Sequence, residues 1–356
     1  MAKANGRPTS QDVAREAGVS QCTVSYVLSG GKNKDRISPE TTRRVLAAAA
    51  RLGYSRNSIG AALRRGYSDT IVLLAVTWEL AASHSHTTIS VSRAAAERGM
   101  TTIVHVASDD KEAIAFLGRV PSLNPYGLLL LWDSNAIPEA DRLRVELAGL
   151  PVVDLMPRES KNIASVTADR AQGSYIATRH LIEMGHQHIG MILDTSSRAK
   201  TSLKKLDGYR VALDEAGIPF HESLLQEVTS FGFEGGYDGF HKLLRRRPDA
   251  TAVMCINDHI ALGALASAQN LGLSVPGDIS VVGFGAHPEG TFLRPSLTTL
   301  AIPAGKIADD AINLLMKLRE DESFVPEPLR EPMELIVRES TGPARLEALS
   351  TKSELR

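Results

Sequence analysis

Residues 9–28 read Thr9-Ser10-Gln11-Asp12-Val13-Ala14-Arg15-Glu16-Ala17-Gly18-Val19-Ser20-Gln21-Cys22-Thr23-Val24-Ser25-Tyr26-Val27-Leu28. Thr9 with an acid three residues on has the form of a capping box and predicts a helix start. Gly18 stands where a tight turn between helices needs a backbone without Cβ strain. Ser20 then caps a second helix, on which Val24, Val27 and Leu28 share an apolar side while Gln21, Cys22 and Tyr26 are left facing outward. Two short helices joined in this way form a helix-turn-helix, which points to nucleic acid.

Working outward, Ser38-Pro39-Glu40-Thr41 gives a cap followed by Pro at the first helical position. The helix it opens carries Val45, Leu46, Ala49 and Leu52 toward the first two, and Gly53 closes it. The loop Gly30 to Ile37 holds Lys32, Lys34 and Arg36, which either touch phosphates or are simply solvated. Ser58 to Arg64 is too short to be a stable helix alone, and Gly60 weakens it further. It is either a plain linker or a hinge that folds on binding, with Leu63 able to wedge between base steps in a minor groove.

The formal charge of −1 conceals an asymmetry. Residues 1–66 hold twelve Lys/Arg against four Asp/Glu, a net +8, which leaves −9 for the remainder. A basic head on an acidic body favours phosphate contact at one end only. No apolar run reaches membrane-spanning length and the N-terminus lacks an apolar signal core, so a cytoplasmic chain without membrane contact is expected. Cys22 and Cys255 suggest no disulfide framework.

From Thr70 onward, short apolar runs alternate with helical stretches. Strands are predicted at Ile71–Val76, Thr101–Val106, Gly127–Leu131, Val152–Asp154, His188–Leu193, Ala252–Ile256 and Ser280–Val282. Helices are predicted at Ile89–Arg98, Gly173–Met184, Lys204–Ala216, Gly236–Arg245 and His259–Asn270. Such alternation implies parallel sheets with crossover helices. The units are too many for one small sheet, so two α/β lobes are expected, with a cleft at the C-terminal ends of their strands.

The run Asp12-Val13-Ala14-x-x-Ala17-Gly18-Val19-Ser20-x-x-Thr23-Val24-Ser25-x-Val27-Leu28 resembles the lactose-repressor/galactose-repressor family of transcriptional regulators. So do Glu40-Thr41, Leu52-Gly53-Tyr54 and Asn57 through Leu63. In the body, His180-Leu181-Ile182-x-Met184-Gly185-His186, Asp207-Gly208-Tyr209-Arg210, and Val275-Pro276-Gly277-Asp278-Ile279-Ser280-Val281-Val282-Gly283-Phe284 extend the likeness over essentially the whole chain. The resemblance implies an N-terminal all-α helix-turn-helix head with a hinge helix. The body it implies is periplasmic-binding-protein-like, with two doubly wound parallel-sheet lobes. Expected boundaries are 1–56 for the head and 57–69 for hinge and linker. The N-terminal lobe is expected at 70–168 plus 302–326, the C-terminal lobe at 169–301 plus 327–342, and a tail at 343–356. The three crossings between lobes would fall near Ala168–Gln172, Thr298–Pro303 and Phe324–Glu331.

The resemblance also implies a homodimer on a near-palindromic double-stranded operator, controlled by a small-molecule effector such as a sugar or related metabolite, with repression the expected outcome. It places Gln21, Cys22 and Tyr26 at positions that read base edges and Leu63 at the intercalating one. The expected DNA-contacting set is Thr9, Ser20, Gln21, Cys22, Thr23, Ser25, Tyr26, Lys32, Lys34, Asn57, Ala61 and Leu63. The expected effector set is Trp78, Trp132, Gln172, Lys205, Phe231, Asn257 and Gly285, with the two Trp residues open to an ordinary core reading. Lys205 stands where the family usually has an Arg, losing a fork that grips two oxygens. Gly285-Ala286 stands where an anchoring Asp is usual, which makes a conventional monosaccharide site doubtful.

The alternative is a solute-binding component of a transport system, which would share the body but have no use for a basic head. No enzyme, cofactor or metal is expected. Gly283-Phe284-Gly285 is not a full dinucleotide fingerprint, and Ser202-x-x-Lys205 lacks companion motifs. His186 and His188 have no ligand cluster around them, and His84 and His86 read as loop residues.

Overall fold

The computed structural model describes residues 8–29, 37–54, 62, 65–76, 85–132, 147, 149–156, 163–193, 200–230, 232–321, 323–325 and 327–345. The chain forms two compact units, Met1–Ser68 and Asp69–Arg356.

In the first unit, helices span Ser10–Ala17, Gln21–Ser29 and Pro39–Leu52. The capping box is present: the Thr9 hydroxyl accepts from the Asp12 N–H at 3.3 Å, and the Asp12 carboxylate accepts from the Thr9 N–H at 2.9 Å. Gly18 (φ +63°) and Gly53 (φ +61°) end the first and third helices in the left-handed region. Val13, Ala17, Val24, Val27, Val45 and Ala48 form a small core, and an Arg44 guanidinium N–H donates to the Ala17 carbonyl at 2.6 Å. Leu46 departs from expectation: it is exposed. Each helical residue turns the face by about 100°, so with Val45 and Ala49 inward, Ala48 takes the core place and Leu46 turns to solvent.

The second unit contains two six-stranded sheets. The first has the order β11-β5-β4-β3-β1-β2, from Leu329–Glu331, Ala164–Ala168, Val152–Asp154, Gly127–Leu131, Thr70–Val76 and Thr101–Ala107, and is parallel throughout. The second has the order β12-β10-β9-β8-β6-β7, from Glu334–Ile336, Thr298–Ala301, Ser280–Gly285, Ala252–Cys255, Ile189–Leu193 and Leu225–Glu227; only β12 runs antiparallel to its neighbour. Strand alternation shows in the packing. Ile71, Leu73 and Ala75 meet Val91 and Leu315 on one side of the first sheet, while Val72, Leu74 and Val76 meet Phe116 and Trp132 on the other.

Because β11 pairs in parallel with β5, residues 329–331 lie in the first sheet. The expectation that placed everything from 327 in the C-terminal lobe is corrected. Leu329, Arg330 and Glu331 extend the edge beside Ala164–Ala168, and the chain passes to the second sheet only between Glu331 and Glu334. A three-residue strand with alternating charge leaves no periodic signal to find.

Helices Phe233–Arg246 and Asp258–Asn270 approach closely through two glycines. A methyl on Gly263 would overlap the Phe233 carbonyl, and one on Gly236 the Ile260 carbonyl. Gly263→Ala is therefore expected to lower stability by about 1–3 kcal/mol in urea denaturation. Gly305→Ala, in the first turn of helix Ala304–Glu320 with nothing within 4 Å of the added carbon, should leave the midpoint unchanged or raise it slightly.

Candidate nucleic-acid interface and ligand cleft

The start of the second helix gathers the predicted DNA-facing residues. The Ser20 hydroxyl accepts from the Thr23 N–H at 3.1 Å and lies 2.9 Å from the Thr23 hydroxyl. Gln21 Nε2 donates to the Ser10 hydroxyl at 2.7 Å, so the first turns of the two helices adjoin. Gln21, Cys22, Ser25 and Tyr26 are exposed, Tyr26 by 44%, although an aromatic of its size ordinarily buries. Thr23 is half-buried and Thr9 is occupied as a cap. Arg15 and Arg51 pair with Asp12 and Glu16 at 3.4 and 3.1 Å. Lys32, Lys34, Asn57, Ala61 and Leu63 lie outside the described residues.

In the second unit, the cleft candidates divide. Trp78 and Phe231 lie outside the described residues. Trp132 is buried, its indole N–H donating to the Asp110 carboxylate at 2.8 Å. It packs with Phe116 and Leu147 on the outer side of the first sheet. Of the two readings left open for Trp132, its surroundings match the core one, with Asp110 satisfying the indole N–H. The Gln172 side-chain oxygen accepts from the Met333 N–H at 3.0 Å, fastening the last crossing to the first turn of helix Arg170–Glu183.

Lys205, Asn257 and Gly285 come together at the C-terminal ends of β8 and β9. Lys205 is buried, with Nζ donating to the Ile256 carbonyl at 2.6 Å and lying 3.9 Å from the centre of the Phe284 ring. The Asn257 side-chain oxygen caps helix Asp258–Asn270 by accepting from the Ile260 N–H at 2.7 Å. Gly285 has φ +137°, a backbone that side-chain-bearing residues rarely adopt, and a Cβ there would sit 3.0 Å from the His287 ring. The imidazole of His287 thus presses on the space that a residue 285 side chain would need.

Sequence reasoning missed Asp258 and the histidines around it. Asp258 is fully buried; it accepts from the Thr299 hydroxyl at 2.5 Å and from the His287 N–H at 2.6 Å. Burial pushes its carboxyl above the ordinary range, while those two hydrogen bonds pull it back. His86 is not in a loop: it lies in the first turn of helix Ser85–Glu97, stacked on His287. His259 adjoins both Asp258 and His287, and burial lowers its imidazole below the usual value. The signal was present in Asn257-Asp258-His259 and Gly285-Ala286-His287, but nothing local marks them as neighbours. By contrast, His186 is a structural tie, 2.9 Å from the Thr251 hydroxyl and 3.0 Å from the Gly342 carbonyl. Among the described residues no group of three His, Cys, Asp or Glu could hold a metal ion, and no helix is long and apolar enough to cross a membrane.

Residues 9–57 match the family described as bacterial regulatory proteins, lacI family, and residues 178–341 match a periplasmic binding protein-like domain. Catabolite control protein A of Priestia megaterium is 30% identical over 345 residues, covering 94% of this chain and 99% of its own. The HTH-type transcriptional repressor PurR of Escherichia coli O139:H28 is 32% identical over 343 residues, covering 95% and 98%. Among solved structures, a complex of the transcriptional regulator CelR with cellobiose aligns at TM-score 0.70 and 28% identity, over 94% of this chain and all of that one. The Lac repressor bound to ONPG aligns at TM-score 0.78 and 24% identity, over 94% of this chain and all of that one, a likeness of fold.

Asp258→Ala leaves the Thr299 hydroxyl and the His287 N–H without their buried acceptor, each worth about 1–3 kcal/mol. Urea denaturation should show the loss, and hydrogen exchange should quicken at the His287 amide. Asp258→Asn keeps one acceptor oxygen and should fall between the two.

Proposed function

The chain belongs to the lacI family of bacterial regulatory proteins and is a DNA-binding transcriptional regulator, and we propose that it represses transcription under control of a small molecule held between its two α/β lobes. The observation that carries this reading is the exposed first turn of helix Gln21–Ser29, set on a head of net charge +8. In our reading Gln21 pairs with a base edge, adenine being the match for its amide. Cys22 and Tyr26 make apolar contact, and Ser20, Thr23, Ser25 and Thr9 meet the backbone. Lys32 and Lys34 add phosphate contacts. Asn57, Ala61 and Leu63 belong to a hinge in the minor groove, with Leu63 wedged between base steps.

Two copies bind a near-palindromic operator, since each head reads one half-site. The exposed Ile103, Val104 and Val106 on the edge strand β2 suit burial against a second copy. The effector lies near Lys205, Asn257 and Gly285, with Phe231 and Trp78 as further candidates. A sugar or related metabolite is the class that relatives suggest, as the cellobiose complex of CelR illustrates. The protein acts in the bacterial cytoplasm by binding and not by catalysis. A transport solute-binding protein is not favoured, because it has no use for a head of this kind.

Selection of duplexes from a randomised pool tests this directly. The expected product is a near-palindromic site bound with an affinity that falls steeply as salt rises. Failure to enrich any sequence, or a flat salt response, would overturn the reading. On the selected site, Gln21→Ala should cost about 1–3 kcal/mol of specific binding and relax one base position. Leu63→Ala should weaken specific binding far more than non-specific binding, whereas equal losses would indicate a passive linker. Val104→Lys should shift the sedimentation equilibrium from dimer toward monomer.

A further inference from the structure

Gln21 opens helix Gln21–Ser29, and of the side chains on that helix it alone sets a hydrogen-bond acceptor and a donor in one plane. The helix has no Lys or Arg, so the bidentate reading of guanine that those residues give is not available from it. Paired hydrogen-bond readout by this helix therefore depends on where the Gln21 amide points. A long side chain free in solvent loses rotamer freedom when it is fixed on a base.

The Gln21 amide is already held. Its Nε2 donates to the Ser10 hydroxyl at 2.7 Å, from the first turn of one helix to the first turn of the other. Ser10 is half-buried at the start of helix Ser10–Ala17, and Gln21 is exposed. The residues beside Ser10 are engaged with each other: the Thr9 hydroxyl donates to the Asp12 carboxylate at 2.7 Å. The frame beneath is fixed by burial, with Val13 and Val24 fully enclosed in the core of the head. One Arg44 guanidinium nitrogen lies 2.6 Å from the Ala17 carbonyl and 3.3 Å from that of Gly18, on the turn that joins the two helices. The distance between Ser10 and Gln21 is thus set by the packing of the helices.

We propose that Ser10 is a specificity-determining positioning residue, whose hydroxyl holds the Gln21 amide in the orientation that reads one base of each half-site. This rests on reading the first turn of helix Gln21–Ser29 as the base-reading edge.

The amide nitrogen carries two hydrogens, and Ser10 accepts one of them. The oxygen and the other N–H remain, an edge that matches the N6 donor and N7 acceptor of adenine. Guanine sets its O6 acceptor against the same oxygen, so the held orientation discriminates against it. In the free protein, water competes for the Ser10–Gln21 bond and its net contribution is modest. Inside a groove that excludes water the bond strengthens, which is where the choice of base is made. Loss of the Ser10 hydroxyl therefore removes discrimination between bases. The phosphate contacts that supply non-specific affinity are left as they were.

The test uses the full-length protein and the duplex selected from the randomised pool, with all four base pairs placed in turn where Gln21→Ala relaxes the preference. Ser10→Ala should reduce the preference for the favoured pair by about two- to tenfold, with binding to unrelated duplex unchanged. Ser10→Thr keeps the hydroxyl and should recover most of the preference. On the Gln21→Ala background, Ser10→Ala should change nothing further, because the group that it positions is gone. An equal loss on both backgrounds would mean that Ser10 meets the DNA itself, and a loss uniform over the four pairs would mean a purely structural role. Either result overturns the proposal, as does an unchanged preference in Ser10→Ala. If Gln21→Ala relaxes no position, the base-reading assignment fails and the proposal with it. If Gln21→Ala relaxes one position and Ser10→Ala does not, the assignment stands and the proposal alone fails.

Discussion

The buried Asp258 carboxylate organises the second lobe. It begins helix Asp258–Asn270, where backbone N–H groups and the helix dipole favour a negative charge. It reaches over Gly283, whose missing side chain leaves the space it occupies, to accept from Thr299 on β10 and from the turn after β9. Three elements distant in sequence are fixed by one group. β10 is also the strand from which the chain leaves for the first lobe, so the same carboxylate that orders the cleft loop anchors a crossing. Lys205, Asn257 and Gly285 lie around it, which is why these three come together while Gln172 and Trp132 serve packing elsewhere.

The head solves a different problem. A unit of this size has little core, and Val13, Val24, Val45 and their small neighbours supply only a modest apolar contribution. Local devices make up the difference: the Thr9–Asp12 capping box, the Ser20 and Ser38 caps, and two left-handed glycine ends. Arg44 adds a tie from the third helix to the turn between the first two. These devices hold the outward turn of the second helix in place without burying any of the side chains that face away from the core. The head thus remains folded while leaving Gln21, Cys22 and Tyr26 at the surface.

Those local devices are also why the head was legible in the sequence. Caps, glycine stops and three-to-four-residue apolar spacing are short-range signals: Thr9, Ser20 and Ser38 precede the three helix starts, and Gly18 and Gly53 end the first and third helices. In the body, continuous apolar runs such as Leu128–Leu131 announced the central strands. Ala164–Ala168, Leu225–Glu227 and Leu329–Glu331 did not announce themselves, being short or small-residue segments whose strand character comes from pairing with a formed sheet. Helix Ala304–Glu320 was likewise absent from the expected elements. In the second lobe, motif positions singled out Lys205 and Asn257 but not the groups around them. The Asp258–Thr299–His287 arrangement spans more than forty residues and exists only once the sheet has brought β9 beside β10. Trp132 illustrates the converse: its place after a strand suggested a cleft, but Asp110 turns its indole N–H inward.

The absence of a side chain at Gly285 has a physical counterpart at His287. The Gly285 backbone has positive φ, and the His287 imidazole lies beside the space that a side chain there would need. The His287 ring is also the contact point for His86 on the first lobe, with the ring centres 5.3 Å apart. The turn after β9 therefore ties Asp258 of the second lobe to His86 of the first through one residue, whose N–H meets the carboxylate and whose ring meets the other imidazole.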